Sequence, residues 1–200
     1  MKFLNDTCVF INKITKPELL FDIVVHYEKI CDKFYVTDCI MEELLRISKI
    51  EDEKGKIAVA IFNVLKNYNG KNRISIIEID KNEIYSKNLK DIRNNYYGHL
   101  YDRLTLKSLV DSGRYTNGQA KNLCKKDMGE CTCLAIAMEE PENFIIVSQD
   151  RGGVTLKPNT NIFKIFERSH KIRVWDYDQW DNETRFSKSK KNKNKNIKFR

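Results

Sequence analysis

Along the chain, apolar runs of four or five residues alternate with longer stretches in which apolar positions recur every three or four. Residues 3–11 open as a short strand running into a turn. The segment TKPELLFDIVVHYEKIC then has helical spacing, with Leu20, Ile23, Val24, Tyr27 and Ile30 on one face. Thr15 and Glu18 form a capping box there, and Pro17 suits a first helical turn. FYVT reads as a second strand, and Thr37 or Asp38 caps a helix through about Ile50. The apolar face of that helix is Ile40, Leu44 and Ile47, joined by Met41 and Leu45. Another helix covers about 56–68 and stops at the turn-forming NYNGKN. RISIIEID is a strand by its isoleucines.

The second half continues the alternation. Over 82–112, Ile84, Ile92, Tyr96, Leu100 and Leu104 recur at multiples of four, with a bend expected at Gly98. Residues 127–139 form an Ala-rich helix, and Phe144–Ser148 a buried strand. TNIFKIF and KIRVW read as short strands or a strand and turn, and DYDQWDNET as a short helical turn. Strands alternating with helices predict an α/β fold, three layers α/β/α around a central, mainly parallel sheet. The helical region near 82–126 enlarges it. In such sheets ligands sit beyond the carboxyl ends of the strands. Asp6 and Asp150 each end a strand, so both are placed on that rim.

Charge is unevenly distributed. Residues 186–200 hold six Lys, one Arg and no acid. Of 36 basic side chains, 29 therefore remain against 28 acids in residues 1–185, a net of +1. The chain divides into a near-neutral domain over 1–185 and a basic tail over 186–200. The tail reads either as a solvated, disordered terminus or as an electrostatic tether for nucleic acid. No apolar run of about 18 residues is present, so no membrane span is expected. The opening MKFLNDTCVF is a poor signal peptide, which points to the cytoplasm. The six cysteines form no CxxC pair and do not cluster with the three histidines, which disfavours zinc.

Four carboxylates stand in apolar contexts: Asp6 in FLNDTCVFI, Glu43 in VTDCIMEELL, Glu130 in DMGECTCLAIA and Asp150 in FIIVSQD. Singly, such acids more often favour a helix dipole or cap a turn. Together, at strand ends and helix starts of one layer, they can converge, and four ionised carboxylates in one cleft repel until protons or cations compensate. Mg²⁺ or Mn²⁺ suits an all-oxygen set. Such a site suits phosphodiester hydrolysis.

These motifs, in this order, resemble those of PIN-domain nucleases. NDTCVFIN is similar to the family's opening strand-Asp-Thr motif, and YVTDCIMEELL to its second, where the acid stands just before a leucine. DMGECTCLAIAME resembles the Gly-Glu form of the third, with Asp127 one turn earlier as a helper through water. IIVSQDRG resembles the last, in which Ser148 supports Asp150, and KIRVWDYDQW the closing strand and short helix. Where many relatives carry Asn two residues after the first acid, this chain has Cys8. The resemblance covers about residues 1–180. It implies a metal-dependent endoribonuclease, often a dimer, in which Asp6, Glu43, Glu130 and Asp150 hold Mg²⁺ or Mn²⁺, with Thr7 and Ser148 behind them. Hydrolysis would leave a 5′-phosphate and a 3′-hydroxyl without a protein nucleophile. The implied partners are RNA and an antitoxin or phage-defence component. Arg114, Lys121, Lys125, Lys126 and Arg151 are candidate phosphate contacts or ordinary surface charges. Tyr96, Tyr97 and Tyr101 are candidate base stackers or core residues. The alternatives are a PIN-like module that binds RNA or protein without cutting, a DNA-directed PIN-like nuclease, and an unrelated α/β fold whose acids cap helices.

Overall fold

The computed structural model describes residues 2–13, 34–70 and 74–184. In chain order these build β1 (Lys2–Asn5), α1 (Thr7–Lys13), β2 (Phe34–Thr37), α2 (Asp38–Ile47), α3 (Glu53–Tyr68) and β3 (Ile74–Ile77). Next come α4 (Glu83–Tyr97), α5 (Arg103–Asp111), α6 (Asn117–Asn122), α7 (Met128–Ala137) and β4 (Phe144–Val147). The chain continues through β5 (Gly153–Val154), β6 (Lys157–Asn161), α8 (Ile162–His170) and β7 (Val174–Trp175), and residues 177–184 are helical. The expected helix over 15–31 and the basic tail lie outside the described residues.

The central sheet has five strands in the order β3-β2-β1-β4-β7, every pair parallel, and helices flank it in an α/β/α arrangement. Sheets of this kind are buried by their crossover helices, which is why FIIV is apolar without alternation and entirely buried. The strand order reverses between β1 and β4, which pair in register from Lys2↔Phe144 to Asn5↔Val147. A crevice is expected beyond the carboxyl ends at that reversal. Asp6 follows the end of β1, and its N–H donates to the Val147 carbonyl at 3.0 Å. That bond carries the pairing to the tips of both strands.

Helix caps follow the sequence. Thr37 Oγ1 accepts from Ile40 N, and Asp52 accepts from Gly55 N. Helix α7 is buried from Gly129 to Ala137. Its side chains are small and apolar nearly all round, as a central core helix requires. It packs against α4 and the sheet strands β2 and β4. At the far edge Phe3 meets Trp175 and Trp180 with ring centroids 5.9 and 6.3 Å apart, which fixes the closing strand and helix.

Four expectations need correction. The strand expected over 3–11 ends at Asn5, and residues 7–13 are helical, burying Val9 and Phe10. TNIFKIF is not a strand after Asn161: Ile162–His170 is a helix capped by Asn161, burying Ile162, Phe163 and Phe166. The expected apolar stripe over 82–112 does not run continuously, because a 3₁₀ turn at Gly98–Leu100 separates two helices. Ile92 and Leu100 are buried, but Ile84 and Leu104 face solvent, Leu104 at 78% exposure. A short antiparallel hairpin, β5–β6, lies after Asp150 where no strands were expected.

Candidate active site

All five expected acids line one cleft. Asp6, Glu43, Asp127, Glu130 and Asp150 surround a space of about 260 Å³, together with Thr7, Cys8, Lys126 and Gly129. Each arrives from a different place: the tip of β1, the middle of α2, the start of α7 and the loop after β4.

The close approach depends on Gly129. A Cβ at this position would stand 3.0 Å from Asp6 Oδ1, 3.2 Å from Glu43 Oε2 and 3.3 Å from Ile40 Cγ1. Only a residue without a side chain lets the first turn of α7 press against both carboxylates. Hydroxyls fix the register: Thr132 Oγ1 donates to the Gly129 carbonyl at 2.8 Å and lies 2.9 Å from Thr37 Oγ1. The end of β2 is thereby tied to the helix that presents Glu130.

Asp6 is nearly buried and accepts three hydrogen bonds. Thr7 N donates to Oδ1 at 2.8 Å, while Ser148 Oγ and Cys8 Sγ each donate to Oδ2 at 3.0 Å. Ser148 Oγ also accepts from Asp150 N at 3.0 Å. One hydroxyl therefore joins the first and last acids, the support expected of it. Thr7 Oγ1 donates to Glu43 Oε2 at 2.8 Å, joining the first acid to the second. Cys8 takes a polar role: its Sγ accepts from Gln149 N at 3.0 Å as well as donating to Asp6. Burial and the neighbouring Asp6 hold its thiol well above the usual range, so it is protonated and can donate.

The cleft disfavours negative charge. Burial pushes the Asp6 carboxyl up to about 6, against the lowering effect of the Cys8 hydrogen bond, and Glu43 adds to the rise. Glu130 is pushed up to about 10, chiefly by burial and then by Asp6, Asp150 and Asp127. Its Oε2 is buried with no hydrogen-bond partner among the described residues. A buried, unpartnered carboxylate oxygen is costly unless a proton or cation meets it. The donor set is all oxygen, so a hard divalent cation fits it. As the side chains stand, no three His, Cys, Asp or Glu among the described residues form a ready-made cation-binding group.

Asp127 is not on the helical face expected for it. It precedes α7 with φ 57°, and its Oδ2 accepts from Thr155 N at 3.1 Å and Thr155 Oγ1 at 2.8 Å. The hairpin turn thus holds this acid at the cleft wall. Of the candidate phosphate contacts, only Lys126 lines the cleft, and Lys125 lines an adjoining groove. Arg114, Lys121 and Arg151 line neither. Arg151 N closes onto Asp150 Oδ1 at 2.6 Å, shaping the loop.

Three contributors escaped the sequence reading. Arg46 pairs with Glu43 Oε1 at 3.2 Å, a spacing of i, i+3 that was legible on the helix. Thr155 had no local signal. Arg93 is 5% exposed and donates to the carbonyls of Lys126 at 2.7 Å and Cys124 at 2.8 Å. It stacks 4.2 Å from the Tyr97 ring, and so holds the segment that leads into Asp127.

No protein-family model matches the chain, and no curated protein matches it in sequence. No helix among the described residues is long and apolar enough to cross a membrane.

Proposed function

We propose that the protein is a divalent-cation-dependent endoribonuclease whose cleft works as those of PIN-domain nucleases do. The observation that carries the reading is the convergence of five carboxylates in one cleft, with Glu130 Oε2 buried and unpartnered among the described residues. Asp6, Glu43, Glu130 and Asp150 would hold Mg²⁺ or Mn²⁺, with Asp127 assisting. When bound, the cation supplies charge neutralisation at the phosphate and a lowered pKa for water.

The chain's own residues do the rest. Thr7, Cys8 and Ser148 hold the Asp6 carboxylate in one orientation, so it needs no reorganisation when substrate arrives. Glu130 and Asp6 give up protons as cation binds, so binding tightens with rising pH. Lys126, on the cleft wall, meets a phosphate oxygen.

The test is cleavage of labelled single-stranded RNA with Mg²⁺ or Mn²⁺, against chelator and against Asp6→Asn and Asp150→Asn. Loss of cleavage in all three is expected, and undiminished cleavage by both variants would reject the mechanism. Flap DNA competed in the same assay distinguishes an RNA enzyme from a DNA-directed one.

A further inference from the structure

Next to the acid cleft, and sharing Glu43 with it, lies a larger groove of about 430 Å³. We propose that this groove is a stacking subsite for one unpaired base of single-stranded RNA, next to the phosphate held at the acids. The proposal rests on the reading of the acid cleft as a phosphodiesterase site.

Three tyrosines were candidate stackers, and the fold separates them. Tyr97 is fully buried, and Tyr96 packs on Phe166 with ring centroids 5.7 Å apart. Tyr101 is 52% exposed and lines the groove. Its hydroxyl faces inward, accepting from Arg93 Nε at 3.3 Å and reaching the Cys124 carbonyl at 3.4 Å. An aromatic ring tethered at its polar end and open to solvent is held ready for a ligand face, with little ordering entropy left to lose.

The remaining lining suits the same occupant. Exposed Leu45 and half-buried Met128 add apolar surface beside the ring, and Arg46, Lys49 and Lys125 bring positive charge. Bases bind to π-faces and apolar walls while cations track the phosphates, and the pairing tolerates any base sequence. A groove of this volume takes a single nucleotide. Because Glu43 belongs to both spaces, a base in the groove would sit beside a phosphate in the acid cleft.

The test is fluorescence anisotropy of a labelled eight-nucleotide unpaired RNA, titrated in EDTA so that nothing is cut. Tyr101→Ala is expected to weaken binding about tenfold, the scale of one lost base stack. Tyr101→Phe, which keeps the ring and loses the hydroxyl contacts, is expected to stay within about twofold of wild type by the same principle. Should Tyr101→Ala be too unstable to titrate, Lys49→Glu on the exposed rim is expected to weaken binding and flatten its salt dependence. Equal affinity of wild type and Tyr101→Ala overturns the subsite, as does a Tyr101→Phe loss as large as that of Tyr101→Ala. Absence of measurable binding by the wild type also overturns it. Calorimetric titration of the wild type with Mn²⁺ reads the other question separately. No saturable Mn²⁺ binding would reject the phosphodiesterase reading, whatever Tyr101 does to RNA.

Discussion

Replacing Glu130 by Gln should make the cation-free protein more stable, and the gain should grow with pH. The carboxyl titrates at about 10 in the fold against an ordinary value of 4.5. Between those values the unfolded chain releases the proton and the folded chain keeps it, so stability falls as pH rises. At pH 7 the group has been carried about 2.5 units past its ordinary value, a cost of about 3 kcal/mol that Gln, neutral at every pH, does not incur. At pH 5 the difference should shrink to under about 1 kcal/mol. Urea unfolding in EDTA at both pH values reads this directly. With a slope near 2 kcal/mol per molar urea, the midpoint at pH 7 should rise by about 1.5 M. Mn²⁺ should then raise the wild-type midpoint and leave the variant's unchanged, because the cation stabilises only a fold that binds it. A variant less stable than wild type at pH 7, or a shift independent of pH, would refute the claim that Glu130 is a destabilising carboxyl awaiting a cation.

Other expectations follow from the same geometry. Gly129→Ala gains helix propensity, but its methyl would crowd Asp6 and Glu43, so Mn²⁺ affinity by calorimetry should fall while the far-UV circular dichroism is kept. Arg93→Met should cost about 2–4 kcal/mol in urea unfolding, since it leaves the buried carbonyls of Cys124 and Lys126 without their donor. Deleting residues 187–200 removes seven positive charges. It should weaken RNA binding and flatten its salt dependence without altering Mn²⁺ affinity, whereas unchanged binding would make the tail a bystander.

The two helices misread as strands show where sequence reading stops. Val9-Phe10-Ile11 and Ile162-Phe163 are apolar runs too short for periodicity to tell strand from helix, and tertiary burial decided both. The longer elements were readable because caps and spacing agreed, as at Thr37 with Ile40 and Leu44. The break in the stripe over 82–112 came from Gly98, where a 3₁₀ turn rotated Leu104 away from the core.

By itself the sequence determined the layered α/β fold and the four motif acids, because buried parallel strands must be apolar and their ends are where polar side chains can emerge. Tertiary structure alone decided that these acids share a cleft, through the pairing of β1 with β4 and the close approach of Gly129 to Asp6 and Glu43. It also decided that Cys8 serves Asp6, that Thr155 captures Asp127, that Arg93 is buried behind Lys126, and that Arg114, Lys121 and Arg151 lie outside the cleft. Each of these contacts joins residues through space set by chain packing, and a side chain's charge does not encode where the packing will carry it.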